Sequence, residues 1–147
     1  MKTIGHFIKQ SLWIVLGAVA VMCAGCAGMG GPANIQVTLS GSQEVPPVTT
    51  AATGFGTITV GDDKSVSGSV TTSGVVGVAA HIHDGGAPGK NGPVIVPLTK
   101  TSDNTWSVPA GAKFTDAQYE SFKAGNLYVN VHSAANKAGE IRGQLKP

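Results

Sequence analysis

The chain has 147 residues, of which 41% are hydrophobic and 12% charged, with a formal net charge of +2 at pH 7. That length fits one domain built on a single hydrophobic core. The few charges are scattered and form no basic run, which excludes nucleic acid as a partner.

The first segment is not read as part of the fold. Residues 1–9 hold Lys2 and Lys9 and no acid, and the apolar, uncharged stretch from Ser11 to Cys23 follows. A basic head, a short apolar core and small residues after it mark an export signal. The uncharged run from Ser11 to Gly31 is long enough to span a bilayer. Its second half is Gly, Ala and Met, however, and reads as a cleavage region. There, Cys23-Ala24-Gly25-Cys26 resembles the lipobox of bacterial lipoproteins, with Cys23 standing where an aliphatic residue is usual. That resemblance implies lipidation of Cys26 as the first mature residue, a signal over residues 1–25 and a flexible Gly-rich tether over 26–33. It places the protein in the bacterial cell envelope, lipid-anchored and facing the periplasm or cell surface. The competing reading is an ordinary secretory signal with an incidental cysteine.

Processing at Cys26 would remove Lys2 and Lys9 and bring the net charge from +2 to near zero. It would also remove Cys23 and commit Cys26 to lipid, leaving no thiol pair for a disulfide. With His6 gone, the histidines are His81, His83 and His132.

From Asn34 onward the pattern is of short strands split by turn residues. Ile35, Val37 and Leu39 alternate with polar neighbours, as in a half-buried strand. A strand over Phe55–Val60 ends in the turn Gly61-Asp62-Asp63-Lys64, and Ser65–Thr72 has a β composition. Val76–His83 forms another strand, residues 87–92 a turn cluster, and Pro93–Leu98 the strand after it. Asp103-Asn104 marks a turn before Trp106. Thr115-Asp116-Ala117-Gln118 fits a helix capping box, with Gly125 as the left-handed stop. Leu127–Ser133 and Glu140–Leu145 close the chain as strands, and Trp106 and Phe122 read as core. Seven or eight short strands and one short helix predict an all-β domain over 34–147. Its architecture is an antiparallel Greek-key (immunoglobulin-like) sandwich or barrel.

Residues i and i+2 of a strand share a face. His81 and His83 therefore point one way, with Ala80 and Ile82 on the other side. On the late strand Tyr128, Asn130 and His132 share a face opposite Leu127, Val129 and Val131. Two imidazoles from one strand and one from another make a metal site if the strands are neighbours, and neutral imidazole suits copper, zinc, iron and nickel. The competing reading has these histidines bracing loops, with Tyr128 and Asn130 in cross-strand packing. A shared ion requires ring nitrogens within about 5 Å of one another, allowing for an unloaded site that tightens. It also requires an outer partner for each second nitrogen, with Asp84, Asn130 and Glu140 the nearest candidates. Arg142 is expected at the rim, where it would steer an anion. No phosphate loop or nucleophile elbow is present.

Five elements in order resemble the CHRD domain family, named for repeats in chordin. They are residues 39–48 (Leu-Ser-Gly-Ser-Gln-Glu-Val-Pro-Pro-Val), Ala80-His81-Ile82-His83-Asp84-Gly85, Gly92-Pro93-Val94, Tyr128-Val129-Asn130-Val131-His132-Ser133 and residues 139–145 (Gly-Glu-Ile-Arg-Gly-Gln-Leu). Lys137 stands where many members carry proline. The resemblance implies an extracytoplasmic all-β domain and little about activity. A fainter resemblance is to copper-zinc superoxide dismutase, where His81, His83, His132 and Arg142 would fill metal-site roles. The chain lacks a bridging fourth histidine, a disulfide pair and a zinc loop, so dismutase chemistry is not favoured. The expectation is metal binding by His81, His83 and His132, copper first and zinc second. The alternative is a non-catalytic adhesion module that recognises an extracytoplasmic protein.

Overall fold

The computed structural model describes residues 31–147; the expected export signal over 1–25 and the expected lipidation site Cys26 lie outside the described residues. Among the described residues, nine antiparallel strands form one sheet. They are β1 (Ala33–Ser40), β2 (Thr53–Val60), β3 (Val66–Ser73), β4 (Gly77–Asp84), β5 (Val94–Pro97), β6 (Thr99–Ser102), β7 (Thr105–Ser107), β8 (Leu127–Ser133) and β9 (Ile141–Gln144). Their spatial order is β5-β4-β8-β9-β1-β2-β3-β7-β6. No helix among the described residues is long and apolar enough to cross a membrane.

The sheet curls until its edges nearly meet. β5 lies at one edge and β6 at the other, yet only Leu98 separates them in the chain. Leu98 N–H donates to the Ala80 carbonyl at 2.9 Å, after which the chain departs to pair with β7. One bent segment thus belongs to both edges, and an all-β domain avoids exposing long unpaired strands. This bend also explains why nine strands appear where the sequence predicts seven or eight. Residues 99–102 are exposed at every position, so no alternation marked them as a strand.

Alternation sorts the side chains of the other strands. Val37, Leu39, Ile58, Val70, Ile82, Val129, Val131 and Ile141 point inward and are almost wholly inaccessible. Gly77 and Gly143 are among the positions where the interior has no room for a side chain. A Cβ on Gly77 would lie 2.9 Å from the Trp106 ring, and one on Gly143 would lie 2.5 Å from the Thr38 carbonyl oxygen. Glycine there lets Trp106 fill the interior and lets β9 approach β1.

The helix α1 (Asp116–Lys123) starts as its sequence predicts. Gln118 N–H donates to Thr115 Oγ1 at 3.2 Å, and Thr115 N–H donates to Gln118 Oε1 at 2.9 Å. Gly125, at φ +72°, stops it. Its buried Phe122 packs against Phe114 with ring centroids 6.2 Å apart.

Ile82 is the interior residue between the two histidines of β4. Replacing it with alanine leaves a cavity facing β5 and β8, where it pairs with Val96 and Val129. We expect Ile82→Ala to destabilise the domain by about 2–5 kcal/mol. Urea denaturation would show this as a lower midpoint at an unchanged slope.

Candidate metal centre

The β4–β8 pairing sets the positions. His81 lies opposite Asn130, His83 opposite Tyr128 and Ala79 opposite His132. β9 continues the row, with Arg142 opposite Asn130 and Gln144 opposite Tyr128. Since Ile82, Val129 and Ile141 fill the interior, the histidines stand on the outer face of the barrel.

Three loops cover this face and turn it into a partly buried layer. Asn91 Nδ2 donates to the Val45 carbonyl at 2.7 Å, tying the loop after β4 to the loop after β1. The third loop, between β8 and β9, offers the Lys137 carbonyl oxygen to the His132 ring. Beneath them His83 is buried, while His81 and His132 are half-buried.

The three rings converge. One ring nitrogen from each of His81, His83 and His132 lies within 4.8 Å of the others. His81 Nδ1 and His132 Nε2 are 2.9 Å apart, a hydrogen bond in which one ring donates to the other. His83 Nδ1 lies 2.9 Å from the Gly92 carbonyl oxygen, and His132 Nδ1 lies 2.9 Å from that of Lys137. A carbonyl only accepts, so both Nδ1 atoms carry the proton and both Nε2 atoms keep a lone pair. His83 Nε2 is inaccessible to solvent and has no hydrogen-bond partner.

Burial disfavours the charged form of two of the rings, His81 and His83. It pushes His81 down to about 4, helped by the nearby His132 and His83 rings. Burial also lowers His83, opposed in part by its bond to Gly92. Two imidazoles therefore present lone pairs at neutral pH without first losing a proton.

The four residues expected around the histidines divide. Asn130 is there, with 2% of its surface exposed, between Tyr128 and His132 on β8 and across from His81. Asp84 is not an outer partner: its Oδ1 accepts from Gly86 N–H and from Ser121 Oγ. Nor is Glu140, whose Oε1 accepts from Thr50 Oγ1 at 2.9 Å. Backbone carbonyls take the role expected of these acids. Arg142 is not at the rim, with 1% of its surface exposed. It donates to Asn91 Oδ1 at 3.1 Å, the Lys90 carbonyl at 3.0 Å and Gln144 Oε1 at 3.3 Å. Its Cζ lies 3.4 Å from the centroid of the Tyr128 ring. A guanidinium so engaged pins a loop and is in no position to draw anions from solvent.

Tyr128 has more to do than cross-strand packing. Its ring stacks on His83 at 4.8 Å with the planes 6° apart, and its hydroxyl accepts from Gly92 N–H at 3.3 Å. It thus links the Arg142 clamp to the His83 ring.

Glu44, from the loop after β1, was not singled out by sequence reasoning. It is 4% exposed, and its Oε1 has no hydrogen-bond partner. Burial raises its carboxyl to about 7, against the lowering effect of Arg142. The signal was an acid set among Gln43, Val45, Pro46 and Pro47, but its long-range contact with Gly139 and Asn130 has no local pattern.

No curated protein and no solved structure matches this chain. The family model of the CHRD domain matches residues 35–145, from the first interior residue of β1 to the residue after β9, and the chain belongs to that family.

Proposed function

We propose that this CHRD domain binds one transition-metal ion through one ring nitrogen each of His81, His83 and His132, Nε2 in the case of His83 and His132, copper in preference to zinc. The observation that carries the reading is His83 Nε2. It is buried and without a partner, its sister nitrogen is committed to Gly92, and its ring belongs to the three-ring cluster. A buried acceptor left unsatisfied costs about 1–3 kcal/mol, and a cation shared with two further imidazoles removes that penalty. Outer hydrogen bonds from His83 and His132 to carbonyls fix their tautomers, as they do around metal-binding imidazoles. Copper comes first because nitrogen ligands bind Cu²⁺ most tightly among the divalent first-row metals. The reading is one of binding rather than dismutation, since Arg142 is fully engaged inside the protein.

Titrating the metal-free protein with Cu²⁺ and Zn²⁺ by calorimetry tests this. The expected result is 1:1 binding below micromolar, weakened at least ~10-fold by His83→Ala, since loss of a mere outer partner already weakens sites by that much. Binding no tighter than that of a generic peptide would overturn it in favour of the adhesion module, with the histidines as loop braces.

A second test needs no metal. Burial disfavours the charged ring, so protonation of His81 is displaced to lower pH. In metal-free protein its ring proton resonances should titrate with a midpoint near pH 4. A midpoint near the ordinary value of about 6.5 would show that the ring is solvated and the pocket open.

The lipobox-like Cys23-Ala24-Gly25-Cys26 supports the proposal that the domain works outside the cytoplasm on a lipid anchor at Cys26. Cys26→Ser should move the protein from the membrane fraction to the soluble fraction while its circular dichroism stays that of the folded domain. Retention of Cys26→Ser in the membrane fraction would overturn anchoring at that residue.

A further inference from the structure

Among the described residues, four buried side-chain polar atoms lack a hydrogen-bond partner, and three belong to one group: Glu44 Oε1, Asn130 Oδ1 and His83 Nε2. The side chains are 4%, 2% and 7% exposed, so solvent does not satisfy them from outside. Asn130 links the other two. A Cβ placed on Gly139 would lie 2.3 Å from Glu44 Oε1 and 2.7 Å from Asn130 Nδ2, so carboxyl and amide nitrogen crowd the same point. Asn130 Nδ2 also donates to the Ala138 carbonyl at 3.4 Å.

Two acceptors on one side fix which way the amide faces. Nδ2 turns to Ala138 and Glu44, so Oδ1 turns towards the histidines. There Asn130 sits opposite His81, two residues before His132 and diagonal to His83. His83 Nε2 is itself a lone pair, because Nδ1–H is used by Gly92. Two buried acceptors at diagonal positions of β4 and β8 stay unsatisfied unless a donor or a cation lies between them.

From this juxtaposition we propose that Asn130 Oδ1 is a fourth protein ligand of the metal, and that Glu44 is a positioning residue that holds the amide in the ligating orientation. The inference rests on the three-histidine reading above and extends it. It gives a first coordination sphere of three imidazole nitrogens and one amide oxygen. Four protein ligands leave little room for exchangeable solvent, which is the character of a holding site rather than an open catalytic one. The oxygen also biases the site towards Cu²⁺ over Cu⁺, since soft sulfur ligands, not amide oxygen, suit the reduced ion.

The test compares wild type, Asn130→Ala, Asn130→Asp and Glu44→Gln, each loaded with Cu²⁺ alone or Co²⁺ alone. Readouts are the dissociation constant, the Cu²⁺ electron paramagnetic resonance parameters and the visible Co²⁺ spectrum. Asn130→Ala should still bind 1:1 but about 10–100-fold more weakly, with a shifted Cu²⁺ hyperfine splitting and a Co²⁺ spectrum altered by an incoming water. Asn130→Asp keeps an oxygen in place, so it should bind at least as tightly as wild type with a different splitting. Glu44→Gln should shift the spectra in the direction of Asn130→Ala, because its amide can donate as well as accept and no longer fixes Asn130. Should Asn130→Ala fail to fold, Asn130→Asp and Glu44→Gln decide the matter by the same spectra. Spectra identical to wild type in the folded variants would overturn the fourth ligand while leaving the three histidines intact. Failure of wild type to bind either ion would instead overturn the three-histidine reading itself.

Discussion

The register between β4 and β8 is the constraint on which the candidate centre depends. Side chains alternate with a period of two, so a slip of one residue would turn His81 and His83 into the barrel and Ile82 out of it. The interior prevents that slip. Ile82 pairs with Val129 and Ala80 with Val131, all almost fully buried. Moving two imidazoles into that apolar space would cost several kcal/mol of unsatisfied polar groups. The hydrophobic core therefore fixes the position of the polar cluster without touching it.

The outer face would be an ordinary solvated surface were it not for Arg142. Its donors hold the Lys90 carbonyl and Asn91, and Asn91 in turn holds the Val45 carbonyl. One side chain thus draws two loops over the sheet. A buried guanidinium is expensive to desolvate and is stable only when its donors are matched. Here neutral oxygens and the Tyr128 ring face do the matching, with Glu44 adding a favourable charge. The consequence reaches His83, which lies against the other side of the Tyr128 arrangement and bonds to Gly92 of the clamped loop. The same contacts set both the position of the loop and the orientation of the ring.

Much of the fold was legible because it rests on local rules. Alternation in Ile35-Val37-Leu39 and in Leu127-Val129-Val131, the turn at residues 61–64 and the capping box at Thr115 each declare themselves within a few residues. The same rule put His81 with His83 and Tyr128 with Asn130 and His132. What parity gives is a face, not its surroundings. Arg142 and Gln144 lie on the face turned away from Ile141 and Leu145 and so read as solvent-facing, yet loops distant in sequence cover them. Glu44 reaches the site only because β1 pairs with β9, Ser40 lying opposite Arg142. The true partners of the histidine rings, the carbonyls of Gly92 and Lys137, carry no sequence signal at all, since every residue has one. Asp84 and Glu140 looked like better partners because their side chains are conspicuous, but each finds its bonds elsewhere.

The candidate centre stands in energetic opposition to the barrel it decorates. A domain optimised for stability alone would pair or exclude the lone pairs of His83, Asn130 and Glu44. Each orphaned buried acceptor costs about 1–3 kcal/mol, a substantial share of the 5–15 kcal/mol typical of a folded domain. Such groups persist where the surrounding structure holds them, and here the core-fixed register and the Arg142 clamp do so. A ligand that binds the folded form and not the unfolded one stabilises it in proportion to the logarithm of its concentration over its dissociation constant. For the proposed metal-bound form, that penalty would be the part of the binding free energy already stored in the fold.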